Sequence, residues 1–318
     1  MMDALASNWA IHLAHALWQS TLAAALVLIL GALLRNRSPR FRHALVMIGI
    51  VKFALPPMLP LPTGIFSAAP PVPELIAIRN VVVGADMQLV VVLMMVHLTG
   101  ALIAVLRLGI DIARLRNLRK RATWLASEGN VPILVSRDIV VPVTTGVFRP
   151  AILLPDALAR SLSPAALRDV IAHEMQHVRR GDVLLNCLQA LLGALWWFHP
   201  LYRLLDRRAR ELREESCDDA LIAGGELDRA HYARTLLTAA AFVAERTPLS
   251  AAGIAETRHS LLARIRRLGD RRFAPRRRLG TGAVAIIVIV ALLVLPGLRV
   301  SRHNRIAFDH ATRHALHH

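Results

Sequence analysis

Lysine is nearly absent from this chain. Lys52 and Lys120 are the only two, so the formal net charge of +17 is carried by arginine. Cysteine is also scarce. Cys187 and Cys217 alone exclude a disulfide framework and point to a reducing location for the part that holds them. The first eight residues carry Asp3 and no basic residue, which excludes a cleavable signal peptide with its positive leader. No internal repeat is present. What is abundant is apolar: 55% of the residues, with a mean hydropathy of +0.45. That composition points to a membrane protein. A large arginine excess suits nucleic acid or the cytoplasmic flanks of membrane spans. The arginines cluster at span flanks, so no direct nucleic-acid binding is expected.

The apolar segments and arginine clusters define an order along the 318 residues. Trp9 to Leu34 reads as a first span. Four arginines follow within residues 35–42, which the positive-inside rule assigns to the cytoplasm, leaving the N-terminus outside. Ala44 to about Leu61 reads as a second span. Lys52 within it is costly unless paired or snorkelling. Residues 62–86, with few charges and several prolines, read as an external loop. Met87 to Leu108 is the third span, and it returns to Arg114, Arg116, Arg119, Lys120 and Arg121. Residues 1–113 are thus expected to form a three-span membrane domain, and residues 114–278 a cytoplasmic domain. Arg271 to Arg278 precede a fourth span, Leu279 to Leu298, and an external His-rich tail over 299–318.

Within the cytoplasmic part, residues 122–155 are short β-branched runs broken by Pro and Gly, which predict a small sheet. An edge strand there suits pairing with an extended peptide, or is a purely structural hairpin. The next segment, VIAHEMQHVRRGD, holds His173, Glu174 and His177 as H-E-x-x-H. On a helix both imidazoles share one face, and Glu174 reaches a water on an ion held between them. Ser163-Pro164 reads as an N-cap followed by a first helical proline, and Gly181 as a stop. Such a zinc site needs a third protein ligand. Glu214 and Asp218, spaced i, i+4 on a helix predicted over Leu204 to Ile222, can supply a ligand and an acceptor for a histidine ring N–H. On spacing alone, pairing of Glu214 and Glu215 with nearby arginines serves equally well. Val183 to Phe198 is too short for a comfortable span. Were it to cross, Glu214 would lie on the opposite side of the membrane from the histidines. It is therefore expected to be buried in the fold or to rest at the surface with Trp196 and Trp197 in the interface. Ala230 to Glu245 and Ser260 to Leu268 read as amphipathic helices.

HEMQHVRRGD, WWFHPL at 196–201 and ELREESCDDA at 211–220 together resemble the antirepressor membrane zinc metallopeptidases, gluzincins related to bacterial beta-lactam sensors. Trp18-Gln19, Lys52-Phe53 and PVTTGVFRPAILLP at 142–155 look like further landmarks of that family. The resemblance implies an α-helical multi-pass membrane protein with an α+β, mostly helical peptidase domain. It implies one Zn2+ on His173, His177 and Glu214, with Glu174 as base and Asp218 supporting a ligand. It also implies cleavage of a cytoplasmic protein, a DNA-binding repressor, in signalling across the bilayer. Gln176 departs from the family's usual small residue at a position that is not a ligand. The penicillin-sensing domain of such sensors follows the last span; about 20 residues remain here, too few for a domain, so beta-lactam sensing is not expected. His199, His231 and Tyr232 are open candidates for stabilising the transition state. The alternatives are a quality-control membrane metallopeptidase and a non-enzymatic receptor with a structural zinc. An intramembrane protease is disfavoured by Arg168, Asp169, Arg179, Arg180 and Asp182 on the motif helix.

Overall fold

The computed structural model describes residues 2–56, 86–246, 252–270, 275 and 279–296. The expected external loop, the arginines at 271–278 and the His-rich tail lie wholly or almost wholly outside them. The described chain is mostly helical with one four-stranded sheet. Three helices come first: α1 (Met2–Leu33), α2 (Pro39–Ala54) and α3 (Met87–Arg121). Two stretches, Leu5–Leu33 and Met87–Arg121, are long and apolar enough to cross a membrane by length and composition. Helix α3 places many large apolar side chains outward, among them Leu89, Val92, Leu93, Val96 and Leu102. A continuous exposed apolar surface of this kind needs an apolar medium or a partner.

Two expected boundaries shift. Helix α2 begins at Pro39 rather than Ala44, because the Ser38 hydroxyl accepts from the Phe41 N–H and Pro39 fits the first helical turn. Helix α3 does not stop near Leu108. It runs unbroken to Arg121, about 52 Å at 1.5 Å per residue, so the domain boundary expected at 113 falls inside a continuous helix. Nothing in residues 109–121 breaks the helix, and the basic last turn suits the negative end of its dipole. Lys52 is paired: its Nζ donates to the carbonyls of Leu295 and Pro296, 3.1 Å each, at the end of the last described helix.

The sheet follows, with β1 (Thr123–Glu128), β2 (Val131–Ser136), β3 (Val143–Thr145) and β4 (Ala151–Pro155) in the order β1-β2-β4-β3. The β2–β4 pair is parallel and the other two pairs are antiparallel. The fully buried β4 is central, and β3 is an edge. A short α4 (Asp156–Ser161) leads to the motif helix α5 (Pro164–Arg180). Its Ser163 cap accepts from Ala166, and Gly181 closes it at φ 69°, a left-handed conformation that favours glycine. Val170 and Met175 on α5 pack with Val131, Ile133, Ile152 and Leu154 of the sheet, which fixes which face of α5 remains for chemistry.

Helices α6 (Asp182–Leu195) and α7 (Pro200–Ala223) form an antiparallel hairpin that leaves the motif helix and returns to it. At its far end Trp196 donates to the Phe53 carbonyl and Trp197 to the His97 carbonyl. Gly100 on α3 is what admits Trp197: a Cβ there would lie 2.4 Å from the indole. Midway, the Tyr202 hydroxyl donates to the Gln189 carbonyl and Arg213 to the Gln189 side chain. Tyr202, Leu205, Ala209 and Leu212 share one core with Ala23 and Val27 of α1 and Phe41 and Leu45 of α2. The apolar stretch forms one arm of this hairpin, with Gln189, Ala194 and Trp196 buried, so Trp196 lies in the bundle core rather than at a surface. Its free face carries Leu184, Leu188, Leu191 and Leu195, a helical stripe. Helices α8 (Arg229–Arg246), α9 (Ala252–Gly269) and α10 (Thr281–Val294) complete the described chain.

Candidate metal centre

The hairpin brings Glu214 on α7 back to His173 and His177 on α5. His173 Nε2 lies 3.1 Å from Glu214 Oε2, His177 Nε2 lies 3.5 Å from Glu214 Oε1, and the two Nε2 atoms are 3.3 Å apart. The two imidazole planes are nearly perpendicular, at 87°. Two imidazoles and a carboxylate, each contributing one donor atom within 4.8 Å of the others, are a donor set suited to zinc. The three residues present therefore fit such an ion.

Each ring is held from behind. The His173 Nδ1 faces Asp218 Oδ1 at 3.3 Å and the Tyr232 hydroxyl at 3.0 Å. The His177 Nδ1 faces Asp182 Oδ2 at 2.7 Å. A carboxylate on Nδ1 fixes the tautomer that leaves Nε2 free for a cation. Asp218 thus faces the His173 ring nitrogen turned away from Glu214. Asp182 is one that sequence reasoning missed, although a carboxylate opening the next helix directly after the Gly181 stop is a signal that could have found it. Replacing either Asp182 or Asp218 by Asn is expected to lower zinc affinity about 10- to 100-fold, read by competition with a chelating dye. Unchanged affinity in both would remove these carboxylates from the site.

Arg264 on α9 was also missed, and nothing in its arginine-rich surroundings marks it out. It is buried and donates to Asp218 through Nε and Nη2, 2.8 Å each, to Glu214 at 3.2 Å and to the Tyr232 hydroxyl at 2.7 Å. Burial by itself would push the Glu214 and Asp218 carboxyls up. His177, His173 and Arg264 override this for Glu214, and Arg264 with His173 for Asp218, so both stay well below the usual carboxylate range. The two acidic groups are charged at neutral pH.

Glu174 sits beside this cluster. Its Oε2 accepts from the Thr144 hydroxyl on edge strand β3, at 2.7 Å. Both line a cleft of about 640 Å³ that also reaches His173, His177, Glu214, and Asp206 and Arg210 on the polar side of the hairpin. The three candidate transition-state residues are placed otherwise. His199 caps α7, accepts from the Tyr202 N–H, meets the Thr21 hydroxyl at 3.1 Å and packs edge-on to Phe53, so it belongs to the bundle core. His231 pairs with Asp169 at 2.7 Å and ties α8 to α5. Tyr232 reaches the site, but its hydroxyl faces Nδ1, the back of His173, where Arg264 and Asp218 engage it.

A mostly helical, apolar body whose cleft joins two histidines, a returning glutamate, a second glutamate and an edge strand has the make-up of a membrane metallopeptidase. Comparison with known families agrees. The chain belongs to the BlaR1 peptidase M56 family, whose model matches residues 12–268. Over 92 residues it is 36% identical to the regulatory protein BlaR1 of Bacillus licheniformis, a stretch covering 28% of this chain and 15% of that protein. Over 89 residues it is 25% identical to the methicillin resistance mecR1 proteins of Staphylococcus aureus and Staphylococcus epidermidis, again 28% of this chain and 15% of theirs. The aligned stretches thus span only about 15% of these relatives. The family suggests a metallopeptidase and implies a metal, typically zinc.

Proposed function

We propose that the chain is a multi-pass, membrane-embedded zinc endopeptidase that cleaves a cytoplasmic protein, a transcriptional repressor, in signalling across the bacterial inner membrane. The observation that carries this reading is the convergence of His173, His177 and Glu214 beside Glu174 and edge strand β3 in one cleft. His173, His177 and Glu214 would hold the ion. Zinc, when bound, supplies a Lewis acid that acidifies water and polarises a peptide carbonyl. Glu174 takes the proton of the attacking water, held in position by Thr144. An extended substrate segment adds to the free edge of β3, which aligns a peptide bond beside Glu174. Asp218, Asp182 and Arg264 keep the ligands oriented and the local charge balanced.

The orientation rests on the arginines at 35–42 and the basic end of α3. Because the α6–α7 hairpin returns, the histidines and Glu214 share one side, and that side is cytoplasmic. The regulatory relatives support a signalling role. The test is incubation of the purified, zinc-loaded protein in lipid nanodiscs with a winged-helix repressor encoded beside it. Defined fragments are expected, lost on chelation and restored by zinc. A single cysteine introduced at Leu125 is expected to be inaccessible to an impermeant reagent added to intact cells; labelling there would overturn the cytoplasmic site.

A further inference from the structure

A second cavity, of about 240 Å³, opens between the last turns of α1, the start of α2 and the middle of α7. Its wall is apolar, formed by Val27, Leu28 and Val46 among others, and its mouth carries Arg42 and Arg208. Gly31 lies in that wall, and a side chain added there would meet nothing within 4 Å, so the groove is open along α1. The Arg42 Nε is buried and has no hydrogen-bond partner among the described residues. The nearby acidic groups are already engaged. Glu211 accepts from both Arg207 and Arg208, and Glu215 pairs with Arg267. The mouth therefore keeps a positive excess, which Arg35 and Arg37 in the adjoining segment enlarge.

An apolar groove beneath a cluster of guanidinium groups, at the junction of an apolar helix and its arginine-rich end, matches one chemistry: a phosphate ester joined to a hydrocarbon chain. We infer that this cavity binds one anionic phospholipid of the cytoplasmic leaflet, its phosphate on Arg42 and Arg208 and an acyl chain along Gly31 and Leu28. Since α7 carries both Arg208 and Glu214, a bound lipid would brace the helix that delivers Glu214 to the histidines. The inference rests on the membrane reading proposed above.

The full chain is reconstituted into nanodiscs of phosphatidylcholine with phosphatidylglycerol, released into gentle detergent, and examined by native mass spectrometry. One retained phosphatidylglycerol per chain is expected. Arg42→Gln should lower its retention about fivefold, the effect of one arginine on an anionic headgroup. Gly31→Leu fills the groove, keeps every charge and should also displace the lipid. Zinc content and melting temperature report whether each variant is folded; if Arg42→Gln fails to fold, Gly31→Leu carries the test. Equal retention of phosphatidylcholine, undiminished retention in folded variants, or displacement of the lipid by inorganic phosphate as readily as by phosphatidylglycerol would each overturn the lipid site. Failure of the chain to enter the discs overturns the membrane reading itself, whereas insertion without headgroup preference overturns the site alone.

Discussion

Glu174→Gln is expected to keep zinc, fold and insertion while peptide cleavage falls about 10²- to 10⁴-fold, the usual contribution of a general base. Gln preserves the size and helix propensity of Glu174. It can also still accept the Thr144 hydrogen bond, so the α5–β3 contact that shapes the cleft survives. What it loses is the capacity to take a proton. The carboxylate is not one of the converging donors, so metal content should stay at that of the unaltered chain. The same variant should hold substrate without turning it over, because addition to the edge of β3 does not depend on the base. Metal analysis and a cleavage assay on one preparation decide the matter. Full cleavage by a zinc-loaded variant would remove Glu174 from the mechanism. No cleavage by either form, with zinc equally bound in both, would favour a receptor whose zinc is structural.

Where local chemistry determines structure, the chain could be read directly. Ser163, Pro164 and Gly181 delimit the motif helix by their own capping preferences, and the structure ends the helix at those residues. The small sheet is legible from β-branched runs with turn residues between them. The return of Glu214 to the histidines was legible only as an argument about sidedness. The hairpin that accomplishes it depends on Trp196 meeting Phe53 and Trp197 meeting Gly100 and His97, contacts between residues about a hundred or more apart that no periodicity encodes. How far α3 continues past the apolar span Met87 to Leu108 was not legible, because an arginine-rich continuation of an apolar helix keeps helical propensity while losing hydropathy. His199 was one of three open candidates for stabilising the transition state. It is instead the N-cap of α7, at the hairpin end remote from Glu214. Arg264 could not be singled out, since only the fold distinguishes it from Arg266 and Arg267.

Glu214→Ala is expected to take bound zinc from one equivalent to well below it, with His173→Ala and His177→Ala behaving alike. A competing geometry makes this a sharp test. His177 also lies near Asp182 and Cys217, a second trio whose donor atoms fall within 4.8 Å of one another. The two trios would use opposite nitrogens of one ring: Nε2 toward Glu214, Nδ1 toward Asp182 and Cys217. The Nδ1 to Asp182 distance of 2.7 Å is that of a hydrogen bond to a ring N–H, which leaves Nε2 as the donor atom. Burial in turn pushes the Cys217 thiol up despite His177 beside it. Cys217→Ser should therefore retain stoichiometric zinc. Removing Glu214 also leaves Arg264 with one of its two carboxylates, so folding must be monitored alongside by thermal unfolding. Glu214→Gln keeps the side chain's shape and one acceptor for Arg264, and it should lose metal without the same loss of stability. Retention of one equivalent of zinc by folded Glu214→Ala, together with its loss from Cys217→Ser, would move the centre to the second trio.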